Sequence, residues 1–455
     1  TRRDATRDTS LIRDDVVPIG ARSFEIERPE VFSVGDAVTV FHPATEAWLA
    51  AIDGGGTAED APWGVGQHPI ALARTVTGLD GHRMTLDAPT FTRLDARLSP
   101  SYVYHRDRSR TIENVGVENL RVHIETVGPT SETHAKDAIR FVLVENGWAS
   151  GVTALHFWRA GISVQHSRYV TIAASAALEP HSQVTGARRY NFEVSQSQLV
   201  LFIGNRATDA RHAYVGNGTS YDSGIVFLDN VSEDAFTSSE SHRQWGSGFL
   251  WDRHVERGTS GSGSGVAARR LHIGNRGDFG TSHGWACANC VIWNAEMNGS
   301  SAVIEKPPTA QNYGIGIQGE ALDSGPFVSN TGSFIEGTFR PGLAPGSLYL
   351  RQLQDRLAAT SIEPPGTSDP IALYPVVPNP LRESGFTRFE LLEVAVVRVS
   401  VYDALGREVL RLEDGWRAAG SHDVEIEARD LAPGVYTLRL VSSGATATRR
   451  FTRLP

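Results

Sequence analysis

Cysteine is almost absent from this chain: two residues, Cys287 and Cys290, among 455. That excludes a disulfide framework of the kind that staples small secreted domains, which needs several pairs. A single Cys-Ala-Asn-Cys is half of a zinc site or a redox pair, and no second pair completes four ligands. Its surroundings, WACANCVIWN, read as a strand, in which residues three apart face opposite ways. Two packed small side chains are expected, neither bridged nor chelating. Long apolar runs are missing too. None reaches the ~18 residues of a bilayer-spanning helix, so no membrane span is expected. Helical periodicity is scarce: Leu350, Leu353 and Leu357 are spaced 3 and 4 apart and predict one helix over Leu348–Ala358. Excess positive charge is lacking as well. With 43 Lys and Arg against 52 Asp and Glu, the net charge is −9. The surface as a whole does not attract nucleic acid, and an anionic ligand requires a local basic patch. The opening TRRDATRDTSLIRDD has no apolar stretch of a signal peptide. It fits a cytosolic protein, or a secreted one whose leader has been removed.

What is abundant is turn chemistry. Forty-five glycines, with many Ser, Thr and Asn, point to an all-β chain. Residues 1–18 form a lead-in, and 19–104 read as a small β unit with turns at Val34-Gly35-Asp36 and Asp80-Gly81. From about residue 112 the texture becomes short strands at intervals of roughly two to three dozen residues. GVENLRVHIE, SGVTALHF, SRYVTIAAS, SQLVLFIGNRA, SGIVFLDNVSE, ARRLHIGNRG and ANCVIWNAEMN resemble one another. No such unit buries its apolar face alone, so successive units must stack. Variable intervals suit a coil from which loops leave freely, and argue against a propeller with four strands per blade. The expected architecture over 105–358 is a right-handed parallel β-helix of about eight to ten coils, closed by the helix. Asn205, Asn230, Asn275 and Asn294 follow strands and suit left-handed turns and stacked amide ladders.

Residues 359–380 read as a Pro-rich linker and 381–455 as a separate β domain. There, Pro378-Asn379-Pro380, the run Val401–Arg407 (VYDALGR), the run Leu431–Tyr436 (LAPGVY) and a basic final strand occur in order. This segment resembles the type IX secretion (Por) sorting domain. The resemblance implies a β-sandwich, a partnership with the type IX machinery, and export across the outer membrane of a Bacteroidota-like bacterium. The protein is then secreted or attached at the cell surface, its leader removed.

Candidate chemistry lies in clusters of basic and aromatic residues near the strands. These are His134 and Lys136; Arg188, Arg189 and Tyr190; and Arg211, His212 and Tyr214. The series continues with His242, Arg243 and Trp245; His283 and Trp285; and Lys306, Gln311 and Asn312. Stacked coils place equivalent positions ~4.8 Å apart, so the clusters are expected to line one basic, aromatic groove. Such a groove suits an anionic polysaccharide, with Arg and His meeting carboxylates and rings meeting sugars. Each position also has a plain reading: a solvated surface cation, or, for Trp245 and Trp285, packing.

Lytic cleavage of a uronate needs a group to neutralise the carboxylate, a base for the C5 proton and an acid for the leaving oxygen. Arg188 or Arg189 would neutralise, and Tyr190 or His212 would move protons, with His242 and Arg243 in support. The other named residues (His134, Lys136, Tyr214, Trp245, His283, Trp285, Lys306, Gln311 and Asn312) would hold substrate. Hydrolysis would instead need two carboxylates ~5–9.5 Å apart, drawn from Asp137, Glu179, Asp209, Glu240 and Asp278. No EF-hand-like loop occurs, although a β-helix can assemble a calcium site from scattered acids. The segments GARRYNF (186–192), SHRQWGSG (241–248), GTSHGWACANCVIWN (280–294) and KPPTAQNYGIG (306–316) are similar to a family of secreted β-helix proteins grouped with the pectate-lyase-like proteins. That resemblance implies lyase chemistry. A glycoside hydrolase and a non-catalytic, adhesive glycan-binding protein remain the alternatives.

Overall fold

The computed structural model describes residues 9–57, 62–258, 270–325, 327, 332–340, 343–360, 371–403, 406–442 and 445–454. The chain divides into two compact units, Thr1–Tyr349 and Leu350–Pro455.

The first unit begins with a six-stranded antiparallel sheet. Its order is Thr9–Leu11, Tyr102–His105, Ala37–His42, Ile70–Asp80, Arg83–Leu86 and Ser23–Glu25. Asp80 pairs with Arg83 around Gly81, whose φ of 55° supplies the left-handed step the hairpin turn requires. Alternating apolar residues of these strands, including Val38, Val40, Leu72 and Val103, are fully buried.

Among the described residues, every strand pair from Ile112 to Glu336 is parallel, and the strands form three faces of a coil. Face one stacks Asp137–Val142, Ala160–Gln165, Tyr190–Ser195, His212–Gly216, Ser239–Ser241 and Arg270–Ile273. Face two includes Val144–Ser150, Arg168–Ala173, Gln198–Ile203, Ser223–Leu228, Leu250–Asp252, Val291–Trp293 and Tyr313–Ile315. Face three includes Thr153–Leu155, Ala176–Leu178, Arg206–Thr208, Val231–Glu233 and Val255–Arg257. The fold is the expected all-β one: a right-handed parallel β-helix with an N-terminal β unit and a C-terminal sandwich.

Sharp corners make this coil possible. Between faces two and three, one left-handed residue recurs in each coil: Gly151, Ala174, Gly204, Asp229, Arg253, Asn294 and Gly316. At two of these corners the residue that follows is an asparagine that bonds an adjacent coil. Asn205 donates to Asn230 Oδ1 at 3.0 Å, and Asn230 donates to the Phe202 carbonyl at 2.9 Å. Asn205 and Asn230 are therefore ladder residues, and the left-handed step falls on the residue before each. Inside, Phe192 stacks on Tyr214, Phe202 on Phe227, and Phe227 on Trp251, with ring centroids 5.0, 5.0 and 5.4 Å apart. Each buried ring is worth ~1.5–3 kcal/mol of apolar transfer.

Several expectations need correction. The seven similar segments do not share one face. SRYVTIAAS and SQLVLFIGNRA lie on face two, SGVTALHF on face three and ARRLHIGNRG on face one. All three faces bury alternate residues in one interior, so they carry the same pattern. Cys287 and Cys290 are bridged, with Cα atoms 6.2 Å apart. Asn289 adopts a φ of 57° and breaks the extended run, so both residues reach the interior. Tyr214 is an interior side chain; its hydroxyl donates to the Asn205 and Val231 carbonyls. Asn312 is interior as well: its amide donates to the Cys287 and Glu305 carbonyls and accepts from the Cys290 N–H. Neither reaches the outer surface of the coil.

The antiparallel sheet packs on the outside of face two. The Gln198 amide accepts from the Ala73 N–H at 2.9 Å and donates to the Ala71 carbonyl at 2.7 Å. Glu145, buried beside it, pairs with Arg106 at 2.5 Å and Arg108 at 2.8 Å.

Leu348–Thr360 is helical where the apolar spacing predicted it, and the strands of the second unit form two antiparallel sheets. Ile371–Leu373, Ser384–Leu391 and Gly420–Glu427 form one antiparallel sheet. Glu408–Arg417, Ala395–Tyr402, Gly434–Ser442 and Ala445–Arg453 form the other. Val397, Val399, Leu438, Phe389 and Ile426 share their core. Ile371–Leu373 fell in the expected linker; Ile371 and Leu373 are buried on alternate positions, which makes the segment a strand. Residues 361–370 of that linker, 1–8 of the lead-in, and Ala404 and Leu405 of the sorting motif lie outside the described residues.

Candidate active site

Polar side chains on the outer surface of face one are covered by the loops that leave it. Tyr190 pairs in register with His212, and Val215 with Glu240, which pairs with His272. Alternation sends Glu240 outward, and its neighbour two along, His242, leaves the strand end on the same side. Loops returning over this surface bring Arg276 and His283.

Glu240 is the centre. It is fully buried, and both its oxygens meet Arg276 Nη1, at 2.7 and 2.5 Å. His242 Nδ1 bonds Glu240 Oε1, the Ser238 hydroxyl donates to Oε2 at 2.6 Å, and His212 Nδ1 stands 3.3 Å from Oε1. Burial alone would raise the Glu240 carboxyl. Arg276, His212 and His242 outweigh that effect and hold it well below the usual carboxylate range. The cluster therefore holds it as the carboxylate at neutral pH.

Around this anion the histidines are neutral. Burial, then Arg276, lowers His242 to about 4. Burial, then His242 and Arg276, lowers His283 to about 3. His212 lies well below its usual value, again chiefly through burial. The tautomers follow from the partners. His242 donates Nδ1–H to Glu240, so its Nε2 carries the lone pair. His212 donates Nδ1–H to the Ser238 carbonyl at 2.7 Å, and its Nε2 is buried without a partner among the described residues. His283 Nδ1 accepts from the Thr281 N–H at 3.0 Å, which puts its proton on Nε2.

The rings touch in sequence. Tyr190 lies 5.7 Å from His212 and 6.5 Å from His242; His212 is 4.7 Å from His242, and His242 is 4.7 Å from His283. Burial raises the Tyr190 phenol above its normal value, against the pull of Arg211, so it keeps its proton. Arg211 Nη1, Arg276 Nε and Arg243 Nε are buried without partners among the described residues. Buried polar atoms are seldom left so, and here a lone pair and several cationic N–H groups gather in one place.

The expected site residues therefore separate. Tyr190, His212, His242 and His283 come together, with Arg243 at their edge, donating to the Asn217 carbonyl at 3.2 Å. Arg188 stands within electrostatic reach of Tyr190, but its guanidinium is engaged by Glu132 in a two-pronged pair at 2.6 and 2.9 Å. Arg189 spends its guanidinium on backbone carbonyls, chiefly Ser182 at 2.7 Å, as a loop brace. Lys136 lies exposed over Trp158 at 5.4 Å, and His134 is half-buried in a separate region beside Glu132. Lys306 is exposed, and Gln311 bonds the Asn312 carbonyl at 2.7 Å. Trp245 and Trp285 are packing residues. They are buried with Trp48 and Trp63 in the core shared by the antiparallel unit and the coil. No sequence argument had placed Arg276 or His272 here. Glu240 had been named only as a candidate hydrolytic carboxylate; the signal linking it to His242 is Glu-x-His, two residues that a strand aims at one side.

The ligating atoms of His212, Glu240 and His242 lie within 4.8 Å of one another, the spacing of a metal group. Two imidazoles and one carboxylate are unlike the oxygen shell that calcium takes, and Arg276 already occupies the carboxylate. Calcium, which the sequence left open, therefore does not fit this cluster.

Residues 375–452 match the family described as the secretion system C-terminal sorting domain. The chain carries a type IX sorting domain. It is accordingly a secreted or cell-surface protein with the type IX machinery as partner. No curated protein matches the chain. Among solved structures, the tailspike gp61 of Pseudomonas phage phi297 is 10% identical over 96% of this chain and 81% of its own, with a TM-score of 0.33. The tailspike gp49 of Pseudomonas phage LKA1 is 11% identical over 97% and 81%, at 0.32. The catalytic domain of a GH87 α-1,3-glucanase in complex with nigerose is 10% identical over 73% and 86%, at 0.22. No helix among the described residues is long and apolar enough to cross a membrane.

Proposed function

We propose that this protein is an extracellular polysaccharide lyase that cleaves a uronate-containing glycan by β-elimination. One observation carries the reading. A neutral histidine, oriented by a buried ionised Glu240, stands beside a protonated tyrosine and several partly unpaired arginines.

His242 Nε2 removes the C5 proton of the uronate. The electron pair forms the C4–C5 double bond, the C4–O bond breaks, and Tyr190 gives its proton to the departing oxygen. Arg243 and Arg211 neutralise the uronate carboxylate and so acidify C5. Arg276 keeps Glu240 ionised, and Glu240 keeps His242 in the tautomer that accepts at Nε2.

A hydrolase is supported less well. Its general acid must hold a proton at neutral pH, whereas Arg276 keeps Glu240 ionised. Asp137 is tied to Arg159 at 2.7 Å. An adhesin has no use for a buried cluster of ionisable groups, which costs stability and is characteristic of catalytic sites.

The test is incubation with anionic polysaccharides, following the unsaturated product at about 235 nm. Tyr190→Phe and His242→Ala should each lower kcat about 10²–10⁴-fold and keep the far-ultraviolet spectrum of the parent. New reducing ends without ultraviolet absorbance, or full activity in both variants, would refute the reading.

A further inference from the structure

Next to the histidine cluster lies a cavity of about 470 Å³ that the elimination chemistry does not use. One wall comes from the antiparallel unit: Trp63, Gln67 and His68. The other comes from the coil: Gln244, Thr281 and Ser282. The two walls are tied together, since Trp63 Nε1 donates to the Ser282 carbonyl at 3.0 Å and packs 4.9 Å from the His68 ring. Two bonds join the cavity to the cluster. The Thr281 N–H donates to His283 Nδ1, and the Gln244 N–H donates to the His283 carbonyl at 2.9 Å. His283 in turn touches His242.

The backbone around this cavity is unusual. His68, Gln244, Trp245 and Ser282 all have positive φ, from 56° to 66°, and none is glycine. Trp245 and Gln244 are consecutive, and neither sits at a regular corner of the coil. Such conformations cost of order 1–3 kcal/mol each and concentrate at ligand sites. Among the described residues, the lining offers amides, hydroxyls and aromatic edges, and no acidic side chain. A charge lies at one end: burial lowers His68 to about 4, and the nearby Arg243 adds to that shift.

We infer that this cavity is a subsite for an uncharged sugar residue next to the uronate being cleaved, so that the substrate alternates acidic and neutral sugars. This rests on the lyase reading for the position of the uronate, near Arg243 and Arg211. The adjoining ring then lies in the cavity, its hydroxyl or acetamido groups facing Gln67, Gln244 and Thr281. With Arg243 engaged by the uronate being cleaved, the described lining offers a second carboxylate no cation of its own, so a homopolymeric uronate gains no charge-assisted bond there. The antiparallel unit is thus part of the recognition site.

The test uses the full chain and two probe classes. Hexasaccharides of hyaluronan and unsulfated chondroitin alternate uronate with N-acetylhexosamine; hexagalacturonate and hexamannuronate do not. Binding is measured by calorimetry and turnover at about 235 nm. At least one alternating probe should bind about tenfold more tightly than either homopolymer. Thr281→Ala and His68→Asn should weaken its binding about three- to tenfold. Asparagine tolerates the left-handed backbone at 68, so this variant keeps the fold. Equal or tighter binding of the homopolymers, no binding of either alternating probe, or binding unmoved by both substitutions overturns the subsite. Selective binding without unsaturated product would sink the lyase reading and keep the subsite. Rapid cleavage of a homopolymer, unaffected by either substitution, would do the reverse.

Discussion

Glu240→Gln is the most informative single change, because it preserves shape and alters only charge and hydrogen-bond polarity. In the parent, Glu240 accepts from Arg276, the Ser238 hydroxyl and His242, with no solvent to share the load. A glutamine offers one acceptor and one NH₂. Arg276, 2% exposed, loses its counter-charge. Removing one partner of a buried ion pair costs about 3–5 kcal/mol, a large share of the 5–15 kcal/mol that holds a typical domain. The chemical effect is separate. The glutamine NH₂ can donate to His242 Nδ1, which moves the imidazole proton to Nε2 and removes the base. A wrong tautomer in a carboxylate–histidine pair costs on the order of 10⁴ in kcat. Urea unfolding followed by circular dichroism, with kcat at about 235 nm, separates the two effects. The variant should unfold at lower urea, yet be folded and nearly inactive in buffer at 15 °C. A variant keeping more than about a tenth of parental kcat would refute the assigned role of Glu240. Full stability would show that Arg276 finds another partner.

Two further outcomes follow from the structure. His242 and His283 are lowered to about 4 and about 3, while an unfolded histidine titrates near ~6.5. Between about pH 4 and pH 6.5 the unfolded chain therefore binds protons that the native state refuses, and stability rises with pH across that window and levels off above it. His242 alone contributes on the order of 3 kcal/mol. His242→Gln should flatten the slope of the urea midpoint against pH, and an unchanged slope would show that the ring is charged in the native state. The Cys287–Cys290 bridge closes a very short loop, so replacing both residues with alanine should cost about 2 kcal/mol, seen as a lower melting temperature. The activity should stay intact, because both side chains face the interior. Loss of activity in a folded double variant would assign the bridge a role at the site.

The fold was legible because a coil repeats. Strands such as SRYVTIAAS and SQLVLFIGNRA show their alternation and their period without any knowledge of partners. The helix at Leu348 and the sorting motifs were readable for the same local reason. The site was legible only in part. Tyr190, His212, His242 and Arg243 were named because basic and aromatic residues cluster near strand ends, and the structure brings these four together. Arg188 and Arg189 carry the same signature, yet Glu132 and the Ser182 carbonyl claim them, and those partners lie 56 and 7 residues away.

Sequence alone determined the architecture and the destination: a parallel coil, and a domain that directs export. Both are written in short-range patterns of side-chain size, polarity and turn residues. Only the tertiary structure decided which ionisable groups meet. Whether Arg276 reaches Glu240 depends on how a 36-residue separation is closed by a loop folding back over the sheet. Charge–charge energies change steeply with ångströms and with burial, and no local pattern encodes either quantity.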